Sequence, residues 1–115
     1  MKLMTKEIEK KAQKAFAAYC TTELKDMEVV AKFFDPAGSW TWYLLNQDPA
    51  DPDYLWGIVS GNEIEMGSFS LSELSKRPLR INGFTVGTIG IERDRWFKPM
   101  NAKELWDKLN NGEHV

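Results

Sequence analysis

Two carboxylates flank a cation in "GIERDRWFKP" (90–99). On an extended strand Glu92 and Asp94 share one face, about 6–7 Å apart, and Arg93 takes the other. Paired carboxylates can act as general acid and base or hold a divalent cation. Nothing in the chain completes either chemistry. The single histidine, His114, stands beside the last residue, and the single cysteine, Cys20, cannot make a disulfide or a zinc site alone. No glycine-rich phosphate loop, metal-ligand spacing or nucleophile-with-base pattern occurs. Arg93 follows Ile89 and Ile91, which read as buried, so it needs a carboxylate or several carbonyls to satisfy its guanidinium. We read Glu92, Arg93 and Asp94 as an ion-pair network fixing a strand end, with Arg95 and Lys98 as charged surface beside it, and expect neither metal nor cofactor.

A second concentration of side chains is "FFDPAGSWTWYLL" (33–45), where aromatics crowd both sides of one turn. Alternation along a strand puts Trp40, Trp42 and Leu44 on one face and Thr41, Tyr43 and Leu45 on the other. Tyr54 and Trp56 likewise oppose Leu55, Gly57 and Val59. Burying one large aromatic contributes roughly 2–3 kcal/mol, so a small domain has reason to use several in its core. Both faces of one strand are nonetheless loaded, and an open sheet with few helices cannot hide everything. The surplus, which we place at Trp40, Trp42, Tyr43 and Trp56, is of the type enriched at protein-binding hot spots and able to stack on unpaired bases.

The elements that position these residues follow from local pattern. Thr5 to Cys20 is helical: Ile8, Ala12, Ala15, Phe16 and Tyr19 share a face, Lys6, Lys10 and Lys14 form a solvated stripe opposite, and Thr5 is the N-cap. Val29–Phe34 and Trp40–Leu45 form a hairpin across "DPAGS", with Pro36 presetting the turn and Gly38 free to take positive φ. "NQDPADPD" (46–53) reads as a solvated loop. Tyr54–Ser60 and Asn62–Phe69 form a second hairpin across Gly61-Asn62. Ser70 caps a short helix, with Glu73 in the capping-box position. Residues 76–87 are irregular, Thr88–Asp94 is a last strand, and "NAKELWDKLNNG" is a closing helix from Asn101 to near Gly112. The result is one α+β domain over 1–115. Its antiparallel sheet of about five strands comes from two hairpins and a late strand, with helices on one face or at the ends.

The composition is that of an ordinary globular chain, 43% hydrophobic and 28% charged. No apolar run is long enough to cross a bilayer, and "MKLMTKEIEKK" lacks the apolar stretch of a signal peptide, so we expect a cytoplasmic protein without membrane contact. At a net charge of −2 no general attraction to a nucleic-acid backbone is expected. The charges are unevenly placed, however: 46–66 holds five acids and no base, whereas Lys76, Arg77, Arg80, Arg93, Arg95 and Lys98 crowd 76–98.

"KFFDPAGSWTWY" (32–43), "MGSFSLSEL" (66–74) and "GIERDRWFKP" (90–99), in this order and spacing, resemble domain-of-unknown-function family 2958. The likeness runs from "LMTKEIEKK" to the "ELWDKL" helix, and the segment "LRINGFTVGTIG" is longer than the family's usual link into the last strand. The matching positions are Trp40, Trp42, Tyr43, Phe69, Ser70, Leu71, Glu92, Arg93, Asp94 and Phe97. The resemblance implies a small bacterial protein encoded on plasmids, integrative elements or phages, and carries no activity with it.

Three functions stay open. The first is a non-enzymatic binding or accessory module that engages a protein partner through aromatic and charged surface. The second is nucleic-acid binding by the basic stripe of 76–98 beside exposed rings. The third is a small metal-dependent hydrolase or nuclease built on Glu92 and Asp94.

Overall fold

Thr5 opens the first helix, as its residue type requires: its hydroxyl accepts from the Ile8 amide at 3.1 Å, satisfying one of the donors a helix N-terminus leaves free. The computed structural model describes residues 3–19, 21–113 and 115, and at 77–81, 85, 86, 88 and 89 it describes the backbone. Helix α1 spans Lys6–Phe16, with Ala12 buried and Lys6, Lys10 and Lys14 exposed. It ends earlier than the apolar periodicity suggested. The Ala18 and Tyr19 amides bond three residues back, to Ala15 and Phe16, which tightens the chain and leaves Tyr19 exposed. Cys20 and His114 lie outside the described residues.

A short 3₁₀ turn, Leu24–Asp26, leads into strands β1 (Glu28–Val29) and β2 (Ala31–Phe34). The expected single strand is thus split at Val30. Strands β3 (Thr41–Asp48), β4 (Asp51–Ser60) and β5 (Ile64–Ser70) follow, then helix α2 (Leu71–Ser75). Strands β6 (Arg77–Ile81), β7 (Phe84–Ile89), β8 (Glu92–Arg93) and β9 (Met100–Asn101) precede helix α3 (Ala102–Asn110). The main sheet is antiparallel, in the order β5-β4-β3-β2-β8; β1 pairs with β9, and β6 with β7. This is the α+β architecture expected, with five strands in the main sheet.

Helices cover both faces of that sheet, not one. On the first face Phe33, Trp42, Leu44 and Leu55 pack with Leu3, Ala12 of α1 and Leu74 of α2. On the second, Tyr43, Leu45 and Ile58 pack with Ala102, Leu105 and Leu109 of α3. The alternation read from the sequence holds from Thr41 to Leu45; there Leu44 pairs with Gly57 and Asn46 with Trp56, so Leu45 is an inserted residue, a bulge in β3.

Four local expectations are corrected. "NQDPADPD" is not a loop: β3 and β4 run on to Asp48 and from Asp51, joined by a tight turn in which Asp48 accepts from the Ala50 amide at 2.8 Å. Pro52 is tolerated because no ladder partner on β3 or β5 calls for its missing amide hydrogen. Residues 76–87 are not irregular: Asn82-Gly83, with φ of 52° and 83°, makes the tight turn of the β6–β7 hairpin. Thr88–Asp94 is not one strand either. Thr88 and Ile89 pair with β6, Ile91 turns away to donate to the Leu74 carbonyl at 3.2 Å, and Glu92-Arg93 join the main sheet beside β2. Gly38 has no positive φ; Asp35 holds its turn instead, accepting from the Ala37 amide at 2.9 Å.

The Ser70 cap forms as expected, its hydroxyl accepting from the Glu73 amide. That hydroxyl also donates to Asp53, and Ser72 donates to the same carboxylate through amide and hydroxyl, which together hold the Asp53 carboxyl below its usual range. One link thus ties the start of β4 to the start of α2. No described helix is long and apolar enough to cross a membrane.

Candidate functional site

The charged segment becomes a turn at the edge of the main sheet. Arg93 stands opposite Phe33 and Glu92 opposite Phe34, and the Asp94 amide extends the pairing to the Lys32 carbonyl at 2.9 Å. Beyond it Asp94 reverses the chain. Its carboxylate accepts from the Trp96 amide at 2.9 Å and its carbonyl from the Phe97 amide at 3.3 Å. The side chain of Asp94 also meets the Lys32 ammonium at 3.7 Å. The ion pair at the strand end thus reaches across to β2, to a lysine that the sequence reading did not name. Arg93 is half-buried on the opposite face and donates to the Leu3 carbonyl at 3.3 Å, the kind of partner its position demanded.

The inner side of the turn is anchored in the core. Phe97 packs against Tyr43 with ring centroids 6.3 Å apart, and the Tyr43 hydroxyl donates to the Val115 main-chain oxygen at 3.1 Å. Lys32 donates to the same oxygen at 2.7 Å. Burial, and secondly the Asp94 charge, push the Tyr43 phenol up from 10.0 to about 12. A phenol whose pKa is raised by folding contributes stability that is complete below pH 10 and lost as pH climbs toward 12. We expect the unfolding free energy to fall across that window by about 2 kcal/mol more in the native chain than in Tyr43→Phe. Urea titrations at pH 9 and pH 11.5 measure the difference.

The outer side of the turn is solvent. Trp96 is 86% exposed, with exposed Arg95 and Lys98 beside it. Behind the turn a cavity of about 330 Å³ is lined by Arg93, Asp94 and Arg95 from one side and by Thr5, Ile8 and Lys11 of α1 from the other. The structure therefore brings Glu92, Arg93, Asp94, Arg95 and Lys98 together around one turn.

Of the four aromatic residues named from the sequence, Tyr43 alone reaches the turn, from its inner side through Phe97. Trp42 and Tyr43 are core side chains, 4% and 2% exposed. Trp40 is half-buried, its ring over Gly61 and 6.1 Å from that of Trp42, and Trp56 is half-buried against the α3 face. The exposed large rings are instead Trp96, Phe84 at the β6–β7 tip (75%), Tyr54 and Tyr19. Sequence reasoning passed over Trp96 although it stands two residues after an aspartate at a strand end, the spacing of an Asx turn. It passed over Phe84 because Asn82-Gly83 went unread as a turn. The side chains of Arg77 and Arg80, part of the expected basic stripe, lie outside the described residues.

As a catalytic pair Glu92 and Asp94 are poorly placed. Glu92 is exposed, whereas Asp94 is mostly covered and occupied by Lys32 and a backbone amide. Among the described residues no three His, Cys, Asp or Glu side chains gather to hold a metal.

Fold and site together define an α+β protein whose central antiparallel sheet is covered by helices on both faces and whose edge carries a pinned, tryptophan-bearing turn. The chain belongs to the family described as Protein of unknown function (DUF2958), which it matches over residues 3–112. No curated protein and no solved structure matches it.

Proposed function

We propose that the protein is a non-enzymatic binding module whose contact point is the turn Asp94–Lys98, with Trp96 as the anchor of a protein partner. The observation that carries this reading is an indole 86% exposed on a turn that is itself tied down. Exposing a tryptophan forgoes the burial free energy that the chain's other tryptophans recover in part or in full. A floppy loop would also lose conformational entropy on binding, but here Asp94, Lys32 and the Phe97–Tyr43 contact already fix the backbone. Tryptophan and arginine side by side are the residue types that dominate interface energetics. Exposed Arg95 and Lys98 make an acidic partner surface the complementary one. A cytoplasmic accessory role in a mobile genetic element, the setting that the family resemblance implies, suits such a module.

Photo-crosslinking from a benzophenone side chain placed at position 96 tests the reading. A discrete protein adduct is expected, and Trp96→Ala should weaken capture of the partner so identified by about 2–4 kcal/mol, some thirtyfold or more. Full-strength capture by Trp96→Ala would overturn it. A second reading, single-stranded nucleic acid, is favoured by the cations that flank the ring, since stacking and phosphate contact go together. Its mark would be a low-salt gel shift of an oligonucleotide that is steep in salt and lost in Trp96→Ala.

A further inference from the structure

The main sheet ends in two unlike edges. On one side β8 is two residues long, and the chain leaves it at once in the Asp94 turn. On the other, β5 runs from Ile64 to Ser70 and, among the described residues, pairs with β4 alone. Its ladder with β4 is unbroken from the Ser60–Ile64 pair to the Tyr54–Ser70 pair. Along an antiparallel ladder, residues that bond to the partner strand alternate with residues whose amide and carbonyl face away. The Gly61 amide bonds to the Glu63 carbonyl at 3.1 Å across the turn, which fixes the phase. The main-chain groups of Glu65, Gly67 and Phe69 therefore face β4, and those of Ile64, Met66 and Ser68 face outward. Such a row is a template for another strand, and edges that must stay unpaired are blunted with proline, lysine or a bulge. β5 holds no proline, lysine or arginine, and no bulge interrupts its pairing.

The charge around this edge has one sign. Residues 46–75 contain Asp48, Asp51, Asp53, Glu63, Glu65 and Glu73 and no lysine or arginine. Glu63 and Glu65 are exposed at the start of β5. At its end a cleft of about 250 Å³ is lined by Asp51, Asp53, Tyr54, Phe69 and Glu73. Tyr54 is 42% exposed, so a ring face is open to a cation beside the carboxylates. Lys103 and Lys108 of α3, the helix against which Ile64 and Met66 pack, are already paired with Asp107 and Glu104. A second copy of the chain would set this acidic edge against an identical one, where like charges repel.

We propose that β5 accepts an extended basic segment of a partner protein as an added strand, its main chain paired with Ile64, Met66 and Ser68 and a lysine or arginine side chain seated in the cleft beside Tyr54. The main-chain bonds supply affinity for any extended segment, and the surrounding acids select a basic one. β5 and the Trp96 turn lie at opposite edges of the sheet, so this proposal does not depend on the reading of Trp96.

A heptapeptide of alternating lysine and valine is the probe. Its controls are the counterpart with glutamate for lysine and a copy N-methylated at every backbone amide. Titrated into the ¹⁵N-labelled full chain, the lysine peptide should shift the amides of Ile64, Met66 and Ser68 saturably. At about ten times its Kd it should slow hydrogen exchange at Met66 and Ser68 by about tenfold. The glutamate peptide should bind about tenfold more weakly or worse, and the N-methylated copy should not bind. Glu65→Lys should narrow the preference for lysine over glutamate. Ser68→Pro removes an outward amide and no bond to β4, so it should block the lysine peptide while the fold persists. Trp96→Ala should leave all of these results unchanged, which separates them from the fate of the binding-module reading. The proposal is overturned by the absence of saturable shifts with the lysine peptide, by equal affinity for the two charges, or by undiminished binding of the N-methylated copy, whether or not Ser68→Pro folds. A chain that sediments as a dimer with Met66 and Ser68 already protected would overturn it too, because the edge would then belong to a second copy.

Discussion

Replacing Gly57 by alanine should abolish the native fold, or cost about 4 kcal/mol or more where any folded protein survives. Gly57 sits in β4, the second strand of the main sheet, paired with Leu44 on one side and Gly67 on the other. A Cβ built there would lie 1.9 Å from the Tyr43 carbonyl oxygen and 2.9 Å from its carbon. Both are backbone atoms of β3, so no rotamer change relieves the overlap. The two strands would have to separate beside the Leu45 bulge, where β3 also carries the centre of both cores. Total stabilities of small domains are about 5–15 kcal/mol, so a loss of this size consumes much of what is available. Gly67, directly across on β5, is the control: nothing lies within 4 Å of a Cβ there, and Gly67→Ala should change stability by less than about 1 kcal/mol. Urea unfolding followed by far-UV circular dichroism distinguishes the two. A Gly57→Ala chain as stable as its parent would contradict the close strand approach.

The tryptophans provide the second large effect. Trp42→Ala should destabilise by about 3–5 kcal/mol, the cost of emptying a large site in a packed interior. Trp42 is 4% exposed, stands opposite fully buried Phe33 in the β2–β3 ladder, and packs beneath α1 and α2 with Leu44 and Leu55. Trp96→Ala, by contrast, should leave stability within about 0.5 kcal/mol, because the ring removed is already in water and its turn is held by backbone and Asp94 contacts. The pair separates the two uses of one residue type: an indole that holds the fold and an indole that the fold displays. A large stability loss in Trp96→Ala would mean that the exposed ring is structural, and would remove the main support for the binding-module reading.

Legibility of the chain followed the range of the interactions involved. Thr5, Ser70 and Asn101 were readable as caps because each accepts from an amide three residues ahead, within the same short segment. The face assignment of β3 was readable because side-chain alternation is a property of the strand alone. The Asn82-Gly83 turn was legible in principle, and the reading missed it by treating the glycines of 76–87 as interruptions. The tract 46–53 misled for a different reason: aspartate and proline favour loops locally, but pairing with β3 and the Gln47 side chain's bond to Pro52 keep it extended.

The candidate site divides along the same line. Its charged residues were recognised because they sit together in ten residues of sequence. The exposed ring beside them, Trp96, was passed over because exposure is decided by what lies above a face, and that is set by segments far away in the chain.

Local pattern was therefore sufficient for the α+β class, the helix caps, the two faces of β3 and the clustering of charge at 92–98. The tertiary structure alone decided that α1 and α2 cover one face of the sheet while α3 covers the other, and so that Trp42 and Tyr43 are interior and Trp96 is not. It alone decided that β5 lies at an edge of the main sheet, with β4 as its one partner among the described residues. Alternation and capping are energies of neighbours along the chain, whereas burial and unsatisfied hydrogen bonds depend on residues brought together from dozens of positions apart, which no short window of sequence contains.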